Sequence, residues 1–149
     1  MTTEPIHSSD LQSAPDALGP LLAKATYRSS GIGTNLHMRL VRNAEVLVLH
    51  ITGTSSDSLP ESFTGAVEQV LVALSPKYAA VDLTGSQSLP SVILAFLVFF
   101  QKNAEANGAG KVILYGANPR ILTVIKMIGM LDFFIIKKDE PAMRQHIAG

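Results

Sequence analysis

From Leu36 onward the apolar residues follow two spacings in turn, and the changes between them outline the elements. Leu36-His37-Met38-Arg39-Leu40-Val41 alternates, meets a turn signal at Asn43-Ala44-Glu45, and resumes as the apolar Val46-Leu47-Val48-Leu49-His50-Ile51, which predicts a hairpin. Ser58-Leu59-Pro60-Glu61 has the spacing of a capping box, and Phe63, Val67, Val70, Leu71 and Leu74 follow on one helical face until Ser75-Pro76. Tyr78-Ala79-Ala80-Val81-Asp82-Leu83, closed by Thr84-Gly85, predicts a buried strand. Ser88-Leu89-Pro90-Ser91 opens a second helix that runs to about Asn107 and stops at Gly108. Lys111 to Tyr115 is a further buried strand, and Asn118-Pro119 caps and starts a helix over Ile121, Val124, Ile125 and Ile128 that ends at Gly129. Phe133-Phe134-Ile135-Ile136 predicts the last strand, and Pro141 begins a terminal helix.

The order ββαβαβαβα predicts an α/β fold, with about five strands in a mostly parallel sheet and about four helices packed on it. Residues 1–34 stand apart. Ser8-Ser9, Ser29-Ser30 and Gly31-Ile32-Gly33 punctuate them, and Gly19-Pro20 interrupts the helical candidate between Asp16 and Tyr27. They are expected to form a flexible or loosely docked arm ahead of a domain spanning 35–149. Gly31-Ile32-Gly33 and Gly108-Ala109-Gly110 read as hinges, since neither lies between a strand and a helix as a phosphate loop must.

Composition narrows the function. A chain of 149 residues with 47% hydrophobic and 16% charged residues suits one packed domain. Twelve basic and twelve acidic side chains cancel, which removes the electrostatic warrant for a nucleic-acid or anionic-membrane binder. Absence of cysteine excludes disulfides, thiolate metal sites and cysteine nucleophiles. The longest apolar run, Val92 to Phe100, falls well short of the roughly 20 residues a membrane helix needs, so no membrane insertion is expected. No basic-then-apolar leader is visible at the start, and a cytoplasmic location is expected.

The four histidines, at 7, 37, 50 and 146, show no metal-ligand spacing, so neither a metal nor another cofactor is expected. Ser91 lacks the glycines of a nucleophile elbow, and no histidine follows it until His146, so hydrolysis finds no support. The first turn of the helix after Pro90 is more informative. Free backbone N–H groups and the positive dipole end favour an anion there, and Ser91 could carry one as a phosphate of about −1.5 to −2 charges. The bland alternative is that Ser88 and Ser91 only cap the helix. Val92, Ala95, Phe96 and Phe99 fall on one side of that helix and Leu94, Leu97 and Val98 on the other. Either the helix is sandwiched inside the fold, or some large side chains await a partner or a second copy of the chain.

The strand end Val81-Asp82-Leu83-Thr84-Gly85, the helix opening at Pro90-Ser91, and the run Asn118-Pro119-Arg120-Ile121-Leu122 to Ile128-Gly129-Met130-Leu131 together resemble a STAS domain, the fold of sulphate transporters and anti-sigma factor antagonists. In that family the helix opens on Asp-Ser-Ser-Gly-Leu-Gly. Here Pro90 takes the place of the Asp, Ser91 that of the phosphorylated serine, and Val92-Ile93-Leu94-Ala95 replaces the rest. The family's acidic position after the second strand is out of register, with Ser56 three residues beyond Gly53 and Asp57 one step later. The resemblance implies a non-enzymatic regulator of transcription that switches partners on phosphorylation. Its partners would be an anti-sigma factor or serine kinase of the GHKL type and a PP2C-type phosphatase. It implies Ser91 as phospho-acceptor, Thr84, Gly85, Ser88, Pro90, Val92, Phe96 and Phe99 as partner contacts, and Asp57 and Asp82 as support. An alternative is a constitutive interaction subunit of a transporter or signalling assembly, independent of Ser91. Between Thr54 and Val92, Asp57, Glu61, Glu68 and Asp82 face only Lys77, an asymmetry able to orient a partner.

Overall fold

The structure is a computed structural model that describes residues 15–149. Six strands, β1 (Thr26–Gly31), β2 (Thr34–Asn43), β3 (Val46–Thr52), β4 (Tyr78–Gly85), β5 (Ile113–Tyr115) and β6 (Ile135–Lys137), form one sheet among the described residues, in chain order. The β1–β2 and β2–β3 pairs are antiparallel, and the remaining pairs are parallel. The helices are α1 (Pro15–Lys24), α2 (Glu61–Leu74), α3 (Ser91–Ala106), α4 (Pro119–Met127) and α5 (Glu140–Ala148).

Each crossover after β3 steps to the next strand in the same direction. Right-handed connections then place α2, α3 and α4 on one face of the sheet. Strand alternation sends Leu47, Leu49, Ile51, Val81 and Leu83 into that layer, against Phe63, Val67, Leu71, Ile93, Leu97, Phe100 and Ile121. A smaller cluster on the opposite face joins Val46, Val48, Ala80, Ile113 and Tyr115 to Met143 of α5. Over β1 and β2 that second face carries Thr26, Arg28, His37 and Arg39, of which all but half-buried His37 are exposed.

The sheet has one strand more than expected, because the segment read as an arm contributes to it. Leu21 and Ala25 are buried in the main core, and the Tyr27 ring lies 5.8 Å from that of Phe63. The polar Thr26–Gly31 has no apolar alternation to betray a strand. Helix α1 runs through Gly19-Pro20, forgoing the one hydrogen bond proline cannot donate. Gly31-Ile32-Gly33 is the turn of the β1–β2 hairpin, with Gly33 at φ +75°, and is no hinge. The rest of the expected arm, residues 1–14, lies outside the described residues.

Helix starts divide by whether the cap is local. Asn118 accepts from Ile121 N–H as its spacing predicts, and Asp139 does the same for Ala142 at α5. The box at Ser58 does not close: α2 begins after Pro60, with no side-chain cap. Near the end, Leu131–Phe133 winds into a 3-10 turn that exposes Phe133, so the last strand starts only at Ile135. One buried tie had no apolar signal. Gln101, on α3, accepts Val112 N–H at 2.6 Å and donates to the Gly110 carbonyl at 3.3 Å, fastening the helix to the start of β5.

Candidate functional site

Parallel strands deliver their C-terminal ends to one edge of the sheet, where an α/β fold gathers its connecting loops. Here the loops after β3, β4 and β5 are tied to one another. Gly53 N–H donates to the Gly85 carbonyl at 3.1 Å. Both positions need glycine: Gly53 sits at φ +78° against the Asn35 carbonyl, and a Cβ on Gly85 would strike the Thr52 side chain. The Ser86 hydroxyl, buried, donates to the Ile51 carbonyl at 3.1 Å. Asn118 Nδ2 donates to the Ser86 and Gln87 carbonyls at 3.4 and 3.0 Å while its Oδ1 caps α4. The loop leading into α3 is therefore held from both sides.

Ser91 is the first residue of α3 and is exposed. Pro90 occupies the cap position and has no side chain able to accept; its carbonyl takes the N–H groups of Ile93 and Leu94 at 2.9 and 3.0 Å. The N–H groups of Ser91 and Val92 and the Ser91 hydroxyl have no partner among the described residues. Neither Ser88 nor Ser91 caps the helix, because proline stands where the cap should be. The structure thus presents a hydroxyl beside unoccupied donors at the positive end of a 16-residue helix.

Of the expected partner contacts, Thr84 and Gly85 are exposed and Ser88, Pro90 and Val92 are half-buried, so each reaches the surface. Phe96 does not. At 4% exposure it lies between Phe63 and Phe100, ring centroids 5.5 and 6.4 Å away, and is a core residue. The buried stripe of α3 is Ile93, Phe96, Leu97, Phe100, Gln101 and Ala104, which leaves Leu94, Val98 and Phe99 half-covered. Asp57 is exposed in the β3–α2 loop, its amide donating to the Ser55 hydroxyl at 3.1 Å.

Asp82 sits on the other face of the sheet. Its Oδ2 lies 2.8 Å from His50 Nδ1 and its Oδ1 accepts Thr84 N–H at 2.9 Å, so it shapes the strand end that leads to the loop. Burial pushes its carboxyl up, but the bonds from Thr84 and from His50 outweigh this and hold it below the usual aspartate value. Burial, with Asp82 and Glu140 nearby, raises the Tyr115 hydroxyl. Burial and the charges of Arg28 and Arg39 lower His37. His50 pairs with Asp82 because parallel register sets them side by side on neighbouring strands, which spacing along the chain does not reveal. Among the described residues no three His, Cys, Asp or Glu side chains gather as a metal would require.

Comparison with known proteins agrees with this architecture. A family model described as STAS domain matches residues 37–143. No curated protein matches the sequence. A proposed anti-sigma factor antagonist of Thermotoga maritima, solved by crystallography, is 13% identical with a TM-score of 0.55, covering 75% of this chain and 95% of its own. The same protein solved by NMR gives 14% and 0.60, over 73% and 84%. The anti-sigma factor antagonist SpoIIAA in its unphosphorylated form gives 18% and 0.50, over 75% and 97%.

Proposed function

We propose that this chain, which belongs to the STAS domain family, acts without catalysis as an anti-sigma factor antagonist-like docking protein switched by phosphorylation at Ser91. The observation that carries this reading is the exposed Ser91 hydroxyl beside two amides that have no partner among the described residues, at the start of α3. The partner contacts would be Thr84, Gly85, Ser88, Pro90 and Val92, with half-buried Phe99 further along the helix. Phosphorylation adds a near-dianion to this mixed apolar surface. The helix end tolerates the charge, whereas a partner's apolar surface docked over it does not. The partner class is an anti-sigma factor or GHKL-type serine kinase, and a PP2C-type phosphatase would reverse the modification.

Two variants test the switch. Ser91→Asp and Ser91→Ala are used in turn to capture partners from the native cell, and intact-mass measurement of the native protein reports the phosphate. The reading expects an anti-sigma factor or kinase on Ser91→Ala and its loss on Ser91→Asp. Equal capture of that partner by both would sink it. The exposed Met127, Ile128 and Phe133 favour a second reading, a constitutive interface independent of Ser91. That reading expects one partner retained by both variants and released by Met127→Asp.

A further inference from the structure

We propose that the outer edge of β1 is a second docking site, which takes an extended, acidic segment of another polypeptide as a seventh strand. It lies apart from the surface around Ser91 and does not depend on that reading. Strand β1 is the end of the sheet, paired only with β2 among the described residues. The phase of that pairing is set by Leu40 N–H, which donates to the Ala25 carbonyl at 3.3 Å. Antiparallel ladders alternate, so Tyr27 and Ser29 turn their backbone groups toward β2, while Thr26, Arg28 and Ser30 turn theirs outward. The same three residues carry their side chains on the face of the sheet that, among the described residues, no helix covers at this end, opposite buried Met38 and Leu36.

Charge selects the occupant. Arg28 stands across from His37, its Nη2 3.4 Å from the ring Nδ1, and Arg39 occupies the next place on the same face. Neither arginine meets a carboxylate among the described residues, where the ion pairs are His50–Asp82 and Arg144–Glu140. Two unneutralised guanidiniums flanking a histidine repel one another, and carboxylates on an incoming strand relieve that repulsion. An added strand gains main-chain hydrogen bonds from the edge and selectivity from alternate side chains, which on this face would lie beside Arg28, with Arg39 one strand further in behind Thr26. An extended peptide fits better than a nucleic acid, because the edge presents a short row of alternating backbone donors and acceptors, with Arg28 and Arg39 as the free cations of that face among the described residues.

The test uses the full chain with a fluorescein-labelled peptide of alternating glutamate and valine, and a lysine–valine peptide as control. Polarisation should show saturable binding of the acidic peptide only, weakening as salt rises. Arg28→Glu with Arg39→Glu should weaken it at least about tenfold. Ser30→Pro should weaken it as well, since it removes an outward donor while leaving the β2 ladder intact, and unchanged melting of each variant keeps the comparison valid. Amide exchange at Arg28 and Ser30 should slow in the complex. Absence of saturable binding, equal binding of the lysine peptide, or indifference to either substitution would overturn the proposal. So would preferential binding of a duplex oligonucleotide, or self-association abolished by Ser30→Pro, each of which assigns the edge to a different occupant.

Discussion

Truncation of Phe96 separates a core role from a docking role on the same helix. Phe96 is 4% exposed, with the rings of Phe63, Phe99 and Phe100 at 5.5, 5.6 and 6.4 Å. Phe96→Ala therefore removes a fully buried ring from the middle of an aromatic cluster, and such truncations cost about 3–5 kcal/mol, the spread reflecting how far the walls collapse. For a domain of this size that is a drop of roughly 6–20 °C in Tm. Phe99→Ala, three residues further along the helix, removes a ring that is only partly covered and should cost less, about 1–2 kcal/mol. Urea unfolding followed by far-UV circular dichroism on both variants and the parent, with the slopes compared, measures each difference. A loss under about 1 kcal/mol for Phe96→Ala, or a larger loss for Phe99→Ala, would refute the packing described here. Partner loss in Phe96→Ala then reports unfolding, so the informative docking variants are Val92→Ala and Phe99→Ala.

Gly53→Ala should destabilise by more than about 1 kcal/mol and disturb the β3–α2 loop, because φ is positive and the new methyl meets the Asn35 carbonyl; thermal melting checks it. Gln101→Leu leaves the buried Val112 N–H without its acceptor, an expected loss of about 1–3 kcal/mol with faster amide exchange at Val112. The lowered carboxyl of Asp82 contributes stability above its unfolded value that is lost as pH falls through the folded one. Stability measured from neutral pH into the acid range should fall less steeply in Asp82→Asn, and identical profiles would count against the His50–Asp82–Thr84 arrangement.

Local chemistry in the sequence reached the structure where one residue decides the outcome. The Asn118 cap, the stop at Gly129, the turn at Ala44 and the apolar face of α2 all depend on near neighbours, and each stands where its pattern puts it. Pro90 shows the limit of that logic. It forms no part of a first turn but displaces the side-chain cap, and this leaves the amides of Ser91 and Val92 open. Strand β1 escaped because Thr-Tyr-Arg-Ser-Ser-Gly offers the edge one aromatic anchor and otherwise faces water. The His50–Asp82 pair and the Gln101 tie escaped for another reason: both join residues that only register or helix docking brings together. Phe96 and Phe99 look alike in the sequence, and only the crossing of α3 over the sheet decides which one is covered.

Because the six strands are laid side by side in the order of synthesis, no strand has to be threaded between two already paired. The β1–β3 meander can assemble first, and each later strand–helix unit can join a finished margin as it leaves the ribosome. The parallel pairs must close much longer loops, His50 and Asp82 standing 32 residues apart, so they form more slowly than the meander, and the outer edge of β1 stays open to misassociation throughout.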